Sequence, residues 1–392
     1  MLEIRRGTAA EFDKIIDFID FVFSKDYEPH DFINMYPNLY RRTDESMHNM
    51  VNLWDGDELR GSVIVYPRYL SVGGKTLSVY GIGNVSCHPR FRGKGYMTML
   101  MNYINEEAKK NGVQLMNLGG RRDRYNHFGF EIAGNCYQMH LERDFVLKAL
   151  PGYDGGKYTF EKFGYDDRDI VDRLHKIYLS KPAHYEYDYD DFFLRLVIPC
   201  DGAYPLAVRD KNKKLIGYLA VCPERERDID IREICLEDDD LTDDVLISFI
   251  IKNDYYPDFK FSEAQLPYVQ KIIDLGGDVV FRGNGMWEVF DWKNTIDALL
   301  SYKASYSVLK KGTLVFDIEN SGRYAVSYDG EKVSVTETTA DADFELSALK
   351  AIRALLGSTP SIFLGLNKDE KRSELVRSWL PLPLTWFGTE RV

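Results

Sequence analysis

Arg90-Phe91-Arg92-Gly93-Lys94-Gly95 brings three cations and two glycines into six consecutive residues. Upstream, Leu77, Val79, Gly83 and Val85 alternate with Ser78, Tyr80 and Asn84, the period of a strand with one buried face. Downstream, Met97, Leu100, Met101, Ile104 and Ala108 fall on one side of a helix. A strand thus runs into a glycine turn that opens a helix. The first N–H groups of such a helix lack partners, and glycines without Cβ atoms let a phosphate come close to them. A plain strand–turn–helix connection with basic residues on its surface is the alternative for any lone G-x-G.

Spacing removes two familiar phosphate loops. A Walker loop requires Ser or Thr after Gly-Lys, where this chain has Gly95. A dinucleotide fingerprint requires a third glycine where Thr98 stands. The remaining pattern, R-x-x-G-x-G entered from Val85-Ser86-Cys87-His88-Pro89, resembles the pyrophosphate motif of the GNAT superfamily of N-acetyltransferases. The resemblance implies that Arg90, Arg92, Gly93, Lys94, Gly95 and Tyr96 bind the pyrophosphate of acetyl-CoA. It also implies that the backbone of Val85, Ser86 and Cys87 aligns the pantetheine arm and polarises the acetyl carbonyl.

Further on, Arg122-Asp123-Arg124-Tyr125-Asn126-His127-Phe128-Gly129-Phe130 closes with an aromatic-Gly-aromatic run. It is similar to a segment of the enhanced intracellular survival (Eis)-like subgroup of that superfamily. The match implies that Tyr125 is the general acid for the departing thiolate, a role that suits a phenol of pKa about 10. A packed aromatic is the alternative. The subgroup also implies a terminal carboxylate as base, here Val392, although Trp386-Phe387-Gly388-Thr389-Glu390-Arg391-Val392 departs from its usual aromatic ending. In this fold the segment from Phe21 to Tyr40 roofs the acceptor pocket, which makes Asp26 and Tyr36 candidate contacts for an amine. Cys87 and His88 suggest a thiol nucleophile. Adjacent strand residues face opposite ways, so direct transfer is favoured.

Net charge of -12, from 50 Lys and Arg against 62 Asp and Glu, argues against a nucleic-acid binder. Seven histidines without H-x-x-x-H spacing and cysteines without a C-x-x-C pair predict no metal. Five scattered cysteines read as reduced thiols of a cytoplasmic protein. The start Met-Leu-Glu-Ile-Arg-Arg has no apolar leader segment, and no stretch is long and apolar enough for a membrane span.

With 392 residues, 44% of them hydrophobic, more than one core is expected. Predicted strands at 51–55, 58–70 and 76–87 form a meander, followed by the glycine turn, a helix and a strand at 113–118. Residues 145–157, rich in Pro and Gly, read as a linker. The element order then repeats from Tyr158 to Trp292, with Glu237-Asp238-Asp239-Asp240 where the glycine turn would be. A pyrophosphate would be repelled there. That run reads either as a solvated helix-capping turn or as a charged wall of an acceptor pocket. The last hundred residues predict a helix, a run of hairpin strands and closing helices.

The expected fold class is therefore a multidomain α/β and α+β protein: tandem GNAT-like mixed-sheet domains at 1–145 and 157–292, the second without a cofactor loop. A domain at 293–392 resembles the sterol-carrier-like unit of the subgroup. The subgroup implies a homo-oligomer, trimer-based or hexameric. The expected activity is acetyl-CoA-dependent N-acetylation of a small amine such as an aminoglycoside or polyamine, or of lysine. A non-enzymatic carrier that binds lipid or a small ligand through its C-terminal domain is the competing reading.

Overall fold

The computed structural model describes residues 1–26, 28–198, 202–224, 228–275, 278–366, 370–385 and 389. They form two compact units: residues 1–133 with 285–382, and residues 134–284 with the described part of 383–391. In chain order the first elements are β1 (Leu2–Arg6), α1 (Phe12–Asp26), α2 (Phe32–Met35), α3 (Asp44–His48), β2 (Met50–Asp55), β3 (Glu58–Val72) and β4 (Lys75–Cys87). Then come α4 (Tyr96–Lys110), β5 (Leu115–Leu118), α5 (Arg122–Tyr125), β6 (Glu131–Ile132), β7 (Asn135–His140), α6 (Arg143–Ala149) and β8 (Thr159–Lys162). The middle of the chain supplies α7 (Arg168–Leu179), β9 (Ala183–Tyr185), α8 (Tyr189–Val197), β10 (Tyr204–Arg209), β11 (Leu215–Pro223), β12 (Asp228–Leu236) and α9 (Thr242–Lys252). It continues through β13 (Tyr256–Phe261), α10 (Gln270–Asp274), β14 (Asp278–Gly283), β15 (Met286–Val289) and α11 (Trp292–Tyr306). The chain closes with β16 (Gly312–Ile318), β17 (Gly322–Tyr328), β18 (Val333–Glu337), β19 (Phe344–Leu346), α12 (Ala348–Leu356), α13 (Pro360–Leu364) and α14 (Glu370–Trp379).

In the first unit the main sheet runs β1-β2-β3-β4-β5-β15-β6. The meander β2–β4 is antiparallel, as its Gly turns require, and β5 joins β4 in parallel after the α4 crossover. Both faces are covered, which explains strands more continuously apolar than simple alternation predicts. On one face α4 packs Leu100, Met101, Ile104 and Ala108 against Val51, Val63, Val65 and Met116. On the other, α1 packs Ile15, Ile16, Ile19 and Val22 against Met50, Trp54 and Ile64. Each fully buried aliphatic side chain contributes about 1.5–3 kcal/mol, so these stripes hold both helices in place. A further sheet in this unit, β18-β17-β16-β19, packs against α11.

The second unit is also built on a mixed sheet with helices packed against it. Its sheet runs β14-β7-β13-β12-β11-β10-β8, with β12 and β13 parallel. Helices α7 and α8 bury Val171, Leu174, Phe192 and Leu196 against Ala207, Tyr218 and Ala220, while α9 buries Val245, Leu246 and Phe249 with Leu219 and Val221.

Several expectations change. Strand β7, within the segment 1–145, pairs with β13 and β14 in the second sheet, whereas β15, within 157–292, pairs with β5 and β6 in the first. The sheets part near residues 133 and 285, because strand partners are chosen by long-range contacts that local patterning does not encode. The predicted linker contains α6, whose Val146 is fully buried in the second unit's core. Glycines follow it: Gly152 and Gly155 both take positive φ. The acidic run is a capped turn. The Asp238 carboxylate accepts the Asp240 N–H, Glu237 pairs with Arg173 and Lys214, and Asp239 pairs with Lys181. Cys87, Cys136 and Cys235 are free, but Cys222 is disulfide-bonded, which corrects the expectation of five reduced thiols. No helix among the described residues is long and apolar enough to cross a membrane.

Candidate active site

Strands β4 and β5 pair from Val79–Leu115 to Ile82–Leu118 and then separate. Strand β4 runs on to Cys87, while β5 ends at Gly119-Gly120. The separation coincides with an irregularity in β4, where register with β3 slips between Ser62–Ser86 and Ile64–Gly83. Asn84 stands in the slip at φ 43°, a left-handed conformation that Asn tolerates better than most residues. Its Nδ2 donates to the buried Tyr40 hydroxyl at 3.1 Å, which fixes the distortion.

A cleft of about 670 Å³ opens between the parted strands. Its walls include Gly83, Val85 and Cys87 of β4, then Phe91, Arg92, Gly93, Gly95 and Tyr96 of the glycine turn. Gly119, Gly120, Arg121, Arg124 and Tyr125 face them, and Val22, Phe23 and Asp26 of α1 complete the lining. Gly93 and Gly95 take φ of 80° and 79°, and a Cβ at either would meet nothing within 4 Å. Conformation, rather than crowding, requires glycine at both. Gly95 caps α4, and Met99 N–H is the first to reach a helical carbonyl, that of Gly95 at 3.0 Å. The positive end of the α4 dipole therefore faces the cleft.

The other sequence candidates fall into place around this turn. The Ser86 hydroxyl points away and donates to Ser62 O at 3.0 Å. Arg90 is exposed beside the cleft, and its N–H donates to His88 Nδ1 at 3.2 Å. Lys94 Nζ sits 4.8 Å from the centroid of the Phe91 ring. Neither Arg90 nor Lys94 is among the cleft-lining residues, so both act on it only as nearby charge. Burial pushes the Cys87 thiol up to about 11, outweighing the opposing pull of Arg92. At neutral pH that thiol stays protonated and is a poor nucleophile.

Tyr125 ends α5 with 7% exposure, packed among Phe128, Phe130 and Leu118, and it also lines the cleft. The packing and the site are therefore compatible. Gly120, at φ 125°, leaves room for its ring: a Cβ there would lie 3.1 Å from a Tyr125 ring carbon. Of the two proposed acceptor contacts, Asp26 lines the cleft and is hydrogen-bonded by Arg92. Tyr36 does not reach it; its ring stacks on Phe32 with centroids 6.3 Å apart. Val392 lies outside the described residues.

Two buried carboxyls that sequence reading missed support α5 and the turn after it. Glu131, 1% exposed, accepts from Arg122 at 2.7 and 2.5 Å and lies 3.3 Å from Arg353 Nε. Burial raises its pKa, but the Arg122 bonds, the Ile132 N–H and Arg353 together hold the carboxyl below its ordinary value. This group stabilises the fold above its unfolded pKa, and the contribution is lost as pH falls through the folded one. Glu131→Gln is expected to cost about 1–3 kcal/mol near neutrality, read as a lower Tm, with a smaller penalty at acid pH.

Glu288 of β15 lies under the turn that follows Tyr125. Its Oε1 accepts from Asn105 Nδ2 at 3.4 Å, and the same Nδ2 donates to Phe128 O at 2.9 Å. Burial raises the Glu288 carboxyl from 4.5 to about 8 against weaker opposition from Lys109 and Asn105. Between those values the unfolded chain releases a proton that the folded chain keeps, so stability falls as pH rises. Glu288→Gln should flatten that decline and raise Tm at pH 8, by an amount on the order of a few kcal/mol in stability.

Residues 3–133 match the family model described as the acetyltransferase (GNAT) domain. The match spans about a third of the chain. No curated protein matches the chain. Solved structures share the fold along the whole length. A probable N-acyltransferase from Enterococcus faecalis V583 aligns with TM-score 0.68 at 15% identity, covering 98% of this chain and 97% of its own. A GCN5-related N-acetyltransferase from Kribbella flavida gives 0.68 at 14%, with coverage of 98% and 97%. Eis1 from Mycobacterium abscessus gives 0.64 at 16%, with coverage of 98% and 99%. At these identities the likeness is one of fold.

Proposed function

We propose that the protein is an acetyl-CoA-dependent N-acetyltransferase that passes the acetyl group directly to a primary amine. The observation that carries this reading is the cleft between β4 and β5, open beside a glycine turn whose backbone and Arg92 face it. The site fits the coenzyme: space above Gly93 and Gly95, a helix N-terminus and cations for the diphosphate, and unpaired strand edge beyond Ile82 for an amide-containing arm. The coenzyme supplies the activated acetyl thioester.

Arg92, Gly93, Gly95 and the first turn of α4 hold the diphosphate, while Arg90 and Lys94 add positive field. The backbone from Val85 to Cys87 fixes the arm and polarises the carbonyl. An uncharged amine nitrogen attacks the carbonyl carbon, the C–S bond breaks, and Tyr125 gives its proton to the departing sulfur. The nitrogen loses a proton to solvent or a base as the amide forms. A Cys87 thiol that burial holds protonated favours this direct transfer over an acyl-thiol intermediate.

The sequence resemblance further assigns the second unit as a GNAT-like domain without cofactor and the last hundred residues as sterol-carrier-like, in a homo-oligomer. Aminoglycosides, polyamines and lysine side chains are the acceptors to try first. Incubation with acetyl-CoA and such a panel should release free thiol in proportion to acetylated amine. Absence of thiol release with every amine, despite coenzyme binding, would contradict the reading.

A further inference from the structure

We infer that Asp26 is the internal counter-ion of the phosphate turn, holding Arg92 until the coenzyme diphosphate displaces it and leaves the carboxylate in the cleft for the acceptor amine. This rests on the function proposed above and adds to it a coupling between the two substrates. Arg92 donates to Asp26 through both terminal nitrogens, at 3.3 and 2.5 Å, and both residues line the cleft. Among the described lining residues Asp26 is the one carboxylate, set against Arg92, Arg121 and Arg124. Asp26 occupies the last residue of α1, and Val22 and Phe23, one turn earlier, line the same wall. The carboxylate is therefore positioned by a packed helix.

The pair is built to exchange. Its side chains are 47% and 40% exposed, and an ion pair that open contributes little to stability. A diphosphate offers the same guanidinium more charge and more acceptor oxygens. Once Arg92 turns to the phosphate, Asp26 loses its nearest cation, and the acceptor amine replaces it as an ammonium that gives up a proton to solvent or a base before it attacks. By linkage, a bound amine would then raise coenzyme affinity by the same factor that the coenzyme raises amine affinity. Arg92 and Arg124 both hold the Asp26 carboxyl below its ordinary pKa, so it is charged at neutral pH.

The test is calorimetric titration of coenzyme A into the full-length wild type, Asp26→Asn, Arg92→Ala and the double variant, at low salt. Asp26→Asn should bind coenzyme about two- to fivefold more tightly, the scale of an exposed pair removed from competition. Arg92→Ala should bind more weakly, and in its background the gain from Asp26→Asn should shrink. In the thiol-release assay Asp26→Asn should raise the KM of whichever amine scores, while the KM for acetyl-CoA falls. If the wild type binds coenzyme and Asp26→Asn binds it equally or more weakly, the counter-ion role is overturned while the proposed function stands. If the wild type binds no coenzyme, the proposed function itself fails.

Discussion

Replacing Gly93 by Asp is expected to abolish measurable coenzyme binding, weakening it by about a hundredfold or more. Two effects act together. The residue takes φ 80°, where a side chain with a Cβ is strained by about 1–2 kcal/mol. The carboxylate would also be placed where the diphosphate is proposed to lie, so attraction becomes repulsion within one turn of the α4 N-terminus. Gly93→Asn isolates the charge, since Asn places a side chain of the same size in the same left-handed conformation and carries no carboxylate. It should lose only a fraction of the affinity. Because the space around Gly93 is open, neither variant should lower Tm by more than a few degrees. Titration calorimetry with coenzyme A, beside a thermal melt, reads both quantities. Equal binding by Gly93→Asp and wild type would remove the turn from the site.

The second large effect is expected at Tyr125. Tyr125→Phe keeps the ring among Phe128, Phe130 and Leu118 but removes the proton donor. If the phenol protonates the leaving sulfur, kcat falls by about a hundredfold or more while the KM for acetyl-CoA stays within a few-fold. Coenzyme affinity measured directly should be unchanged, because the phosphate contacts lie elsewhere. A variant with full kcat would reduce Tyr125 to its packing role. A variant with an unchanged kcat/KM ratio to wild type across pH would do the same.

The parts of this molecule legible in its sequence are those encoded within a short window. The glycine turn and the buried stripe of α4 are local patterns, and both stand where the spacing places them. The bounds of β2, β3 and β4 agree to within about two residues, since Gly56, Gly73 and Gly74 mark the turns. Asp26 and Tyr36 came from the same roofing segment, yet only Asp26 reaches the cleft, because α1 continues to that residue and its helical phase decides what faces inward. A sequence punctuated by prolines at 29 and 37 did not disclose that length.

Long-range partners were not legible. Glu131 and Glu288 are ordinary strand residues by pattern, and their importance comes from Arg353 and Asn105, far away in the chain. The entry of β15 between β5 and β6 is likewise invisible to periodicity. Asn84 offered only the weak hint that asparagine tolerates positive φ, and its place in the β4 slip depends on β3 and Tyr40. Arg124 belongs to the segment that the sequence singles out for Tyr125, while Arg121 lies just before it. Their place on the cleft wall follows from the end of β5 at Gly119-Gly120, which turns the chain back across the opening.

The most direct test is a crystal structure of the protein soaked with acetyl-CoA. The diphosphate should lie against Gly93, Gly95 and Arg92, with the arm running along Val85 to Cys87 and the thioester within reach of the Tyr125 hydroxyl. Coenzyme seated away from this cleft, or none at saturating concentration, would contradict it.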